Sequence, residues 1–138
     1  IPKEDSIEFE VSKRIEEFGL KDYVRITGPI MDVENLYHLS DVWIYCSKHE
    51  GLPFGPIELQ AAGVPCIASD VITKEIDLGL DLVHFLSLND NPKIWANKAI
   101  SIKKEIADTD KTRIAFIKHK FDIKESVNVL MSTIKEYI

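Results

Sequence analysis

The sequence predicts an α/β fold in which a parallel sheet carries helices on its faces. Three observations lead there. Short β-branched and aromatic runs alternate with segments of helical apolar spacing, several changes of pattern fall on Gly or Pro, and 138 residues suit one globular domain. Parallel neighbours need crossover connections, and the intervening helices supply them.

Ser6 to Phe18 place Ile7, Val11, Ile15 and Phe18 on one helical face, with Gly19 as a stop. Tyr23-Val24-Arg25-Ile26-Thr27 reads as a strand that ends at Gly28-Pro29. Asp32 is well placed to cap a short helix carrying Val33, Leu36, Tyr37 and Leu39, which stops near Ser40. A second strand runs from Val42 to Cys46. After the loop Ser47 to Phe54, Gly55-Pro56 introduce the helix Ile57 to Ala62, and Gly63 closes it. Pro65 to Ser69 and Leu82 to Leu86 are further strands, giving the order α, β, α, β, α, β, β. From Pro92 the pattern is helical over Ile94 to Ala107, Asp110 to Lys120 and Ile123 to Ile138. Residues 1–138 are therefore one domain, with an α/β core over 1–90 and carboxy-terminal helices over 91–138.

Composition narrows the function. The apolar runs are far short of the roughly 20 residues that cross a bilayer. Ile1-Pro2-Lys3-Glu4-Asp5 lacks a basic start followed by an apolar core, so it reads as a cut end and not as a signal peptide. A net charge of −6 argues against nucleic acid, which demands a basic stripe. Lys98, Lys103, Lys104, Lys111, Arg113, Lys118, His119 and Lys120 gather late in the chain, interleaved with acids. They read as a solvated helix face, with an anionic membrane surface as the alternative. Cys46 and Cys66 each sit in an apolar strand and are expected to be buried free thiols of a reducing, cytoplasmic compartment.

In open α/β sheets, ligands bind beyond the carboxyl ends of the strands, here after Thr27, Cys46 and Ser69. The loop after Cys46 carries the chemistry. Glu50 and Glu58 bracket the turn Gly51-Leu52-Pro53-Phe54-Gly55-Pro56. If a helix opens at Gly55-Pro56, its free N–H groups and positive dipole end suit a diphosphate, with Leu52, Phe54 and Gly55 able to donate. Glu58, expected in the first turn of that helix, could accept two ribose hydroxyls, and Glu50 at the strand end could accept sugar hydroxyls. A Gly/Pro turn before a helix with an early Glu is also ordinary capping. What sets this turn apart is the longer segment around it.

Glu50-Gly51-Leu52-Pro53-Phe54-Gly55-Pro56-Ile57-Glu58, continued by Leu59-Gln60-Ala61-Ala62-Gly63-Val64-Pro65, resembles the E-x7-E segment of retaining GT-B glycosyltransferases of the family 4 type. Val24 to Gly28 and Leu39 to Ser47 resemble the two strands before that motif, and Ala68-Ser69-Asp70 the strand after it. The likeness covers roughly residues 5 to 90 and is greatest to enzymes of bacterial exopolysaccharide and capsule assembly.

The resemblance implies a Rossmann-like sheet from the carboxy-terminal half of a GT-B fold. It implies that Glu58 binds the ribose and that Glu50, the catalytic candidate, contacts the donor sugar as the diphosphate departs. The backbone of Gly51, Leu52, Pro53, Phe54 and Gly55 would approach sugar and diphosphate, and Ile30 would lie beside the base. No metal and no other cofactor is implied. The partners would be a nucleotide-sugar donor and an amino-terminal acceptor domain, with the full-length enzyme at the inner face of the cell membrane. The family's phosphate-binding Arg and Lys have no counterpart in this chain, so it is expected to be part of an enzyme and inactive alone. The alternatives are a non-catalytic nucleotide-binding module and a GT-B epimerase or phosphorylase.

Other candidates read more simply. His49 is expected to be a solvent-facing loop residue and Lys74 part of a surface loop. His38, His84 and His119 lack partners at metal spacing, and no G-x-S-x-G turn occurs. Trp43 and Trp95 are expected to pack the core from a strand and a helix.

Overall fold

The computed structural model describes residues 6–137. Residues 1–5, which carry the reading of a cut end, and Ile138, the expected end of the last helix, lie outside them. The chain forms two compact units, Ile1–Val33 and Glu34–Ile138.

In the first unit, α1 spans Ile7–Glu17 and is capped by Ser6, whose side chain accepts from the Phe9 N–H. Gly19 ends it at φ +66°, where Leu20 N–H reaches back to Ile15 C=O (2.8 Å). The strand expected over Tyr23–Thr27 does not form. Residues 24–30 have no regular structure and are exposed. A strand is held by hydrogen bonds to a neighbour, and this β-branched run pairs with no strand among the described residues, whose sheet contains only strands from Trp43 onward.

The second unit is built on a three-stranded parallel sheet in the order β1-β2-β3, with β1 Trp43–Tyr45, β2 Cys66–Ser69 and β3 Val83–Leu86. All four residues of the central strand β2 are buried, as expected of a strand covered on both faces. Helix α2, Val33–Leu39, begins directly after Asp32, and α3, Phe54–Ala61, forms the crossover from β1 to β2. A single 3₁₀ turn, Lys74–Ile76, lies between β2 and β3. The core gathers Ile57, Leu59, Val64, Ile67, Ile76 and Leu78 between sheet, α3 and this turn. Gln60, fully buried, ties the layers together. Its side-chain amide N donates to Ile76 C=O (2.6 Å) and Pro56 C=O (3.0 Å), and its Oε1 accepts from Leu78 N–H (3.0 Å).

The carboxy-terminal helices are α4 Pro92–Ser101, α5 Thr109–Lys118 and α6 Ile123–Glu136. α4 stops at Ser101, short of the expected Ala107. Residues 102–108 are good helix formers, yet tertiary contacts override that preference. Lys104 Nζ donates to His38 C=O (3.0 Å) and Ser40 C=O (2.9 Å) at the end of α2, and Ala107 lies tight against Gly63. Both Trp side chains are half-buried. Trp43 meets Tyr37 edge-on (4.9 Å between ring centroids), and Trp95 Nε1 donates to Ser87 C=O (3.0 Å). Both cysteines are free, but only Cys66 is buried. Cys46 is exposed, because it lies just past β1, where the chain leaves the sheet.

Candidate functional site

The site candidates of the second unit lie where β1 ends and α3 begins, at the carboxyl edge of the parallel sheet. The loop between them is anchored to the neighbouring strand: Ser69 Oγ, buried at the end of β2, donates to Ser47 C=O at 2.5 Å. Glu50 is half-buried in this loop. Its Oε1 accepts two hydroxyls, from Ser47 (2.8 Å) and from Tyr45 (3.0 Å). Burial, and next the hydrogen bond to Glu50, push the Tyr45 hydroxyl pKa up, so it keeps its proton and remains a donor.

Glu58 is exposed on α3, and its position corrects an expectation. α3 starts at Phe54 rather than Gly55, with Pro53 as N-cap, so no acidic residue falls in the first turn. Pro56 is accommodated within that turn, where a missing N–H costs little. Glu58 therefore lies beyond the strongest influence of the helix dipole. What holds it is Tyr37, whose hydroxyl donates to Glu58 Oε2 at 2.9 Å. Tyr37 is buried at 6% exposure, and burial, with the Glu58 bond as a further cause, pushes its pKa up to about 12.

Between the carboxylates, the turn is open. Pro53 offers no side-chain cap, so the N–H groups of Phe54 and Gly55 meet no capping group. Nothing lies within 4 Å of a Cβ built on Gly51, and one built on Gly55 meets only the Tyr45 ring, at 3.7 Å. Pro53 is buried, while Gly51, Leu52 and Phe54 are exposed. Neither Glu50 nor Glu58 joins an ion pair among the described residues. Chemically, this is an anionic pair of hydroxyl acceptors beside uncapped N–H donors.

The other candidates separate. Ile30 belongs to the first unit, exposed in the irregular segment after Gly28, which adopts φ +64°. His49 is exposed. Lys74 is exposed but engaged, with Nζ 3.4 Å from the Phe85 ring centroid and 3.3 Å from Asp70 C=O. A cleft of about 470 Å³ beside the loop is lined by Leu52, Lys74, Glu75, Asp77, His119 and Phe121.

Sequence reading missed Tyr37, Tyr45, Ser47 and Ser69. Tyr45 and Ser47 carried a signal, since residues two apart at a strand end share a face and Glu50 follows closely. Tyr37 carried none, because its partner is 21 residues away.

Residues 3–105 match the family model described as glycosyl transferases group 1. The chain is 38% identical over 87 residues (63% of this chain, 23% of the relative) to EpsF of Bacillus subtilis (strain 168), provisionally named a glycosyltransferase. It is 30% identical over 66 residues (48% and 19%) to the lipopolysaccharide core biosynthesis mannosyltransferase LpsB of Rhizobium meliloti (strain 1021). It is 34% identical over 55 residues (40% and 14%) to the UDP-Gal:alpha-D-GlcNAc-diphosphoundecaprenol alpha-1,3-galactosyltransferase of Escherichia coli. These matches span less than a quarter of each relative's length. No solved structure matches the chain significantly. With its parallel sheet, its flanking helices and a family match covering more than half its residues, this chain belongs to the glycosyl transferases group 1 family.

Proposed function

We propose that the chain supplies the donor half-site of an enzyme that moves a sugar from a nucleoside-diphosphate sugar to a polysaccharide or lipid-linked acceptor, with retention of anomeric configuration. The observation that carries this reading is the pair Glu50 and Glu58, each gripped by a tyrosine hydroxyl, on either side of an open turn with uncapped N–H groups. Glu58 receives ribose hydroxyls and Glu50 those of the donor sugar. Phe54 and Gly55 N–H groups face the diphosphate, where charge builds as the leaving group departs. The family membership supports sugar transfer, and the substrates named for the Escherichia coli relative, UDP-Gal and a diphosphoundecaprenol-linked sugar, support the donor and acceptor classes. Acceptor binding and the remaining phosphate contacts fall to other parts of the full-length enzyme, acting at the cytoplasmic face of the membrane.

The test is calorimetry on the full-length enzyme with uridine- and guanosine-diphosphate sugars. One of them is expected to bind, and Glu58→Ala to weaken it by roughly tenfold or more, the loss of a charge-assisted hydrogen bond. Unchanged binding by Glu58→Ala would sink the assignment.

A further inference from the structure

We propose that Tyr37 and Tyr45 are positioning residues that each occupy one oxygen of a site carboxylate, so that Glu58 and Glu50 present a single free oxygen apiece to the donor. This deepens the donor-site reading and rests on it. An ionised carboxylate accepts on two oxygens and rotates freely unless something holds it. Here both carboxylates are held, and each from one side. On Glu50 the two donors, Tyr45 and Ser47, converge on Oε1, and on Glu58 the Tyr37 hydroxyl takes Oε2. Among the described residues, no protein donor reaches Glu50 Oε2 or Glu58 Oε1.

The holders are themselves fixed. Tyr37 is buried and packs edge-on against Trp43. Tyr45 ends β1, and its ring lies beside Gly55 at the start of α3. The backbone of Ser47 is tied to Ser69 at the end of β2. Each carboxylate is thus referenced to the sheet rather than to its own flexible stem, the kind of support that keeps a site within productive geometry. The two tyrosines serve different parts of the ligand. Tyr37 acts through Glu58 on the nucleoside, and Tyr45 through Glu50 on the sugar.

That division sets the experiment, done on the full-length enzyme with Tyr37→Phe, Tyr45→Phe, Glu50→Ala and Glu58→Ala. Calorimetry with the nucleoside diphosphate and with the intact nucleotide sugar is read beside kcat and KM. Tyr37→Phe is expected to weaken both ligands by roughly tenfold, about one hydrogen bond to a charged group. Tyr45→Phe is expected to leave nucleoside-diphosphate affinity within about twofold while kcat falls roughly tenfold, since the held oxygen matters most as the sugar departs. Ser47→Ala, which removes the second donor to the same oxygen, should follow the Tyr45→Phe pattern and carries the test if the tyrosine variant fails to fold. The proposal is overturned if the Phe variants match wild type while the Glu→Ala variants lose binding, or if Tyr45→Phe weakens both ligands equally. Wild-type behaviour of the Glu→Ala variants as well would remove the donor-site reading itself.

Discussion

Gly63 sits at φ +68°, and a Cβ there would lie 2.4 Å from Ala107 Cβ. Left-handed backbone and lack of space both demand glycine, which closes α3 by sending Gly63 N–H to Gln60 C=O (3.1 Å) and Val64 N–H to Leu59 C=O (2.8 Å). Gly51 differs, since it has neither a positive φ nor a neighbour within 4 Å of an added Cβ. Chemical denaturation should therefore show Gly63→Ala losing about 2 kcal/mol or more and Gly51→Ala staying within about 0.5 kcal/mol. Equal costs would refute this division between a packing glycine and one with open space around it. The sequence marked Gly63 as a helix stop, because glycine after an apolar helical run is a local signal. It could not mark the clash with Ala107, which depends on a segment far along the chain.

β3 shows what a strand adds to a titratable side chain. His84 pairs in register with Ile67 of the buried strand β2, and burial lowers its pKa below 6.5; nearby Lys98 acts in the same direction and Asp77 and Asp81 oppose it. A lowered histidine pKa means that the unfolded chain takes up the proton first, so the neutral form is the one the fold favours. Stability is unaffected by this group above pH 6.5 and falls as pH drops through and below that value. Denaturation midpoints between pH 7 and pH 5 should show that decline, and His84→Gln should flatten part of it. An unchanged slope in the variant would place the sensitivity elsewhere. β2, β3 and α3 were legible because each joins a local apolar pattern to nearby Gly or Pro punctuation, and β1 because its apolar run leads into a polar, Gly/Pro-bearing loop. The run Tyr23–Thr27 has an equally good strand pattern and remains irregular, since a strand also needs a partner. In the opposite sense, residues 102–108 have helical composition but are drawn along α2 and the α3 end through Lys104 and Ala107.

For the whole molecule, phosphate charge is the open electrostatic question, since the chain carries a net charge of −6. If N–H groups at α3 and basic residues elsewhere in the full-length enzyme meet that charge, removing divalent metal with a chelator should leave nucleotide-sugar affinity unchanged. A loss restored by one divalent ion would instead recast Glu50 and Glu58 as metal ligands. The α/β class, the parallel order and the place of Glu50 after a strand and of Glu58 on the next helix followed from sequence alone, but the turn of that helix that carries Glu58 did not. Periodicity, punctuation and strand-end position are properties of contiguous residues, and the Glu50-to-Glu58 segment keeps all three within one short stretch. Tertiary structure alone decided how Glu58 is held and how the loop carrying Glu50 is anchored to the sheet. Tyr37 and Glu58 meet only because α2 and α3 pack on the same sheet, Ser47 and Ser69 only because β1 and β2 run in parallel register, and no local pattern encodes contacts that chain crossing creates.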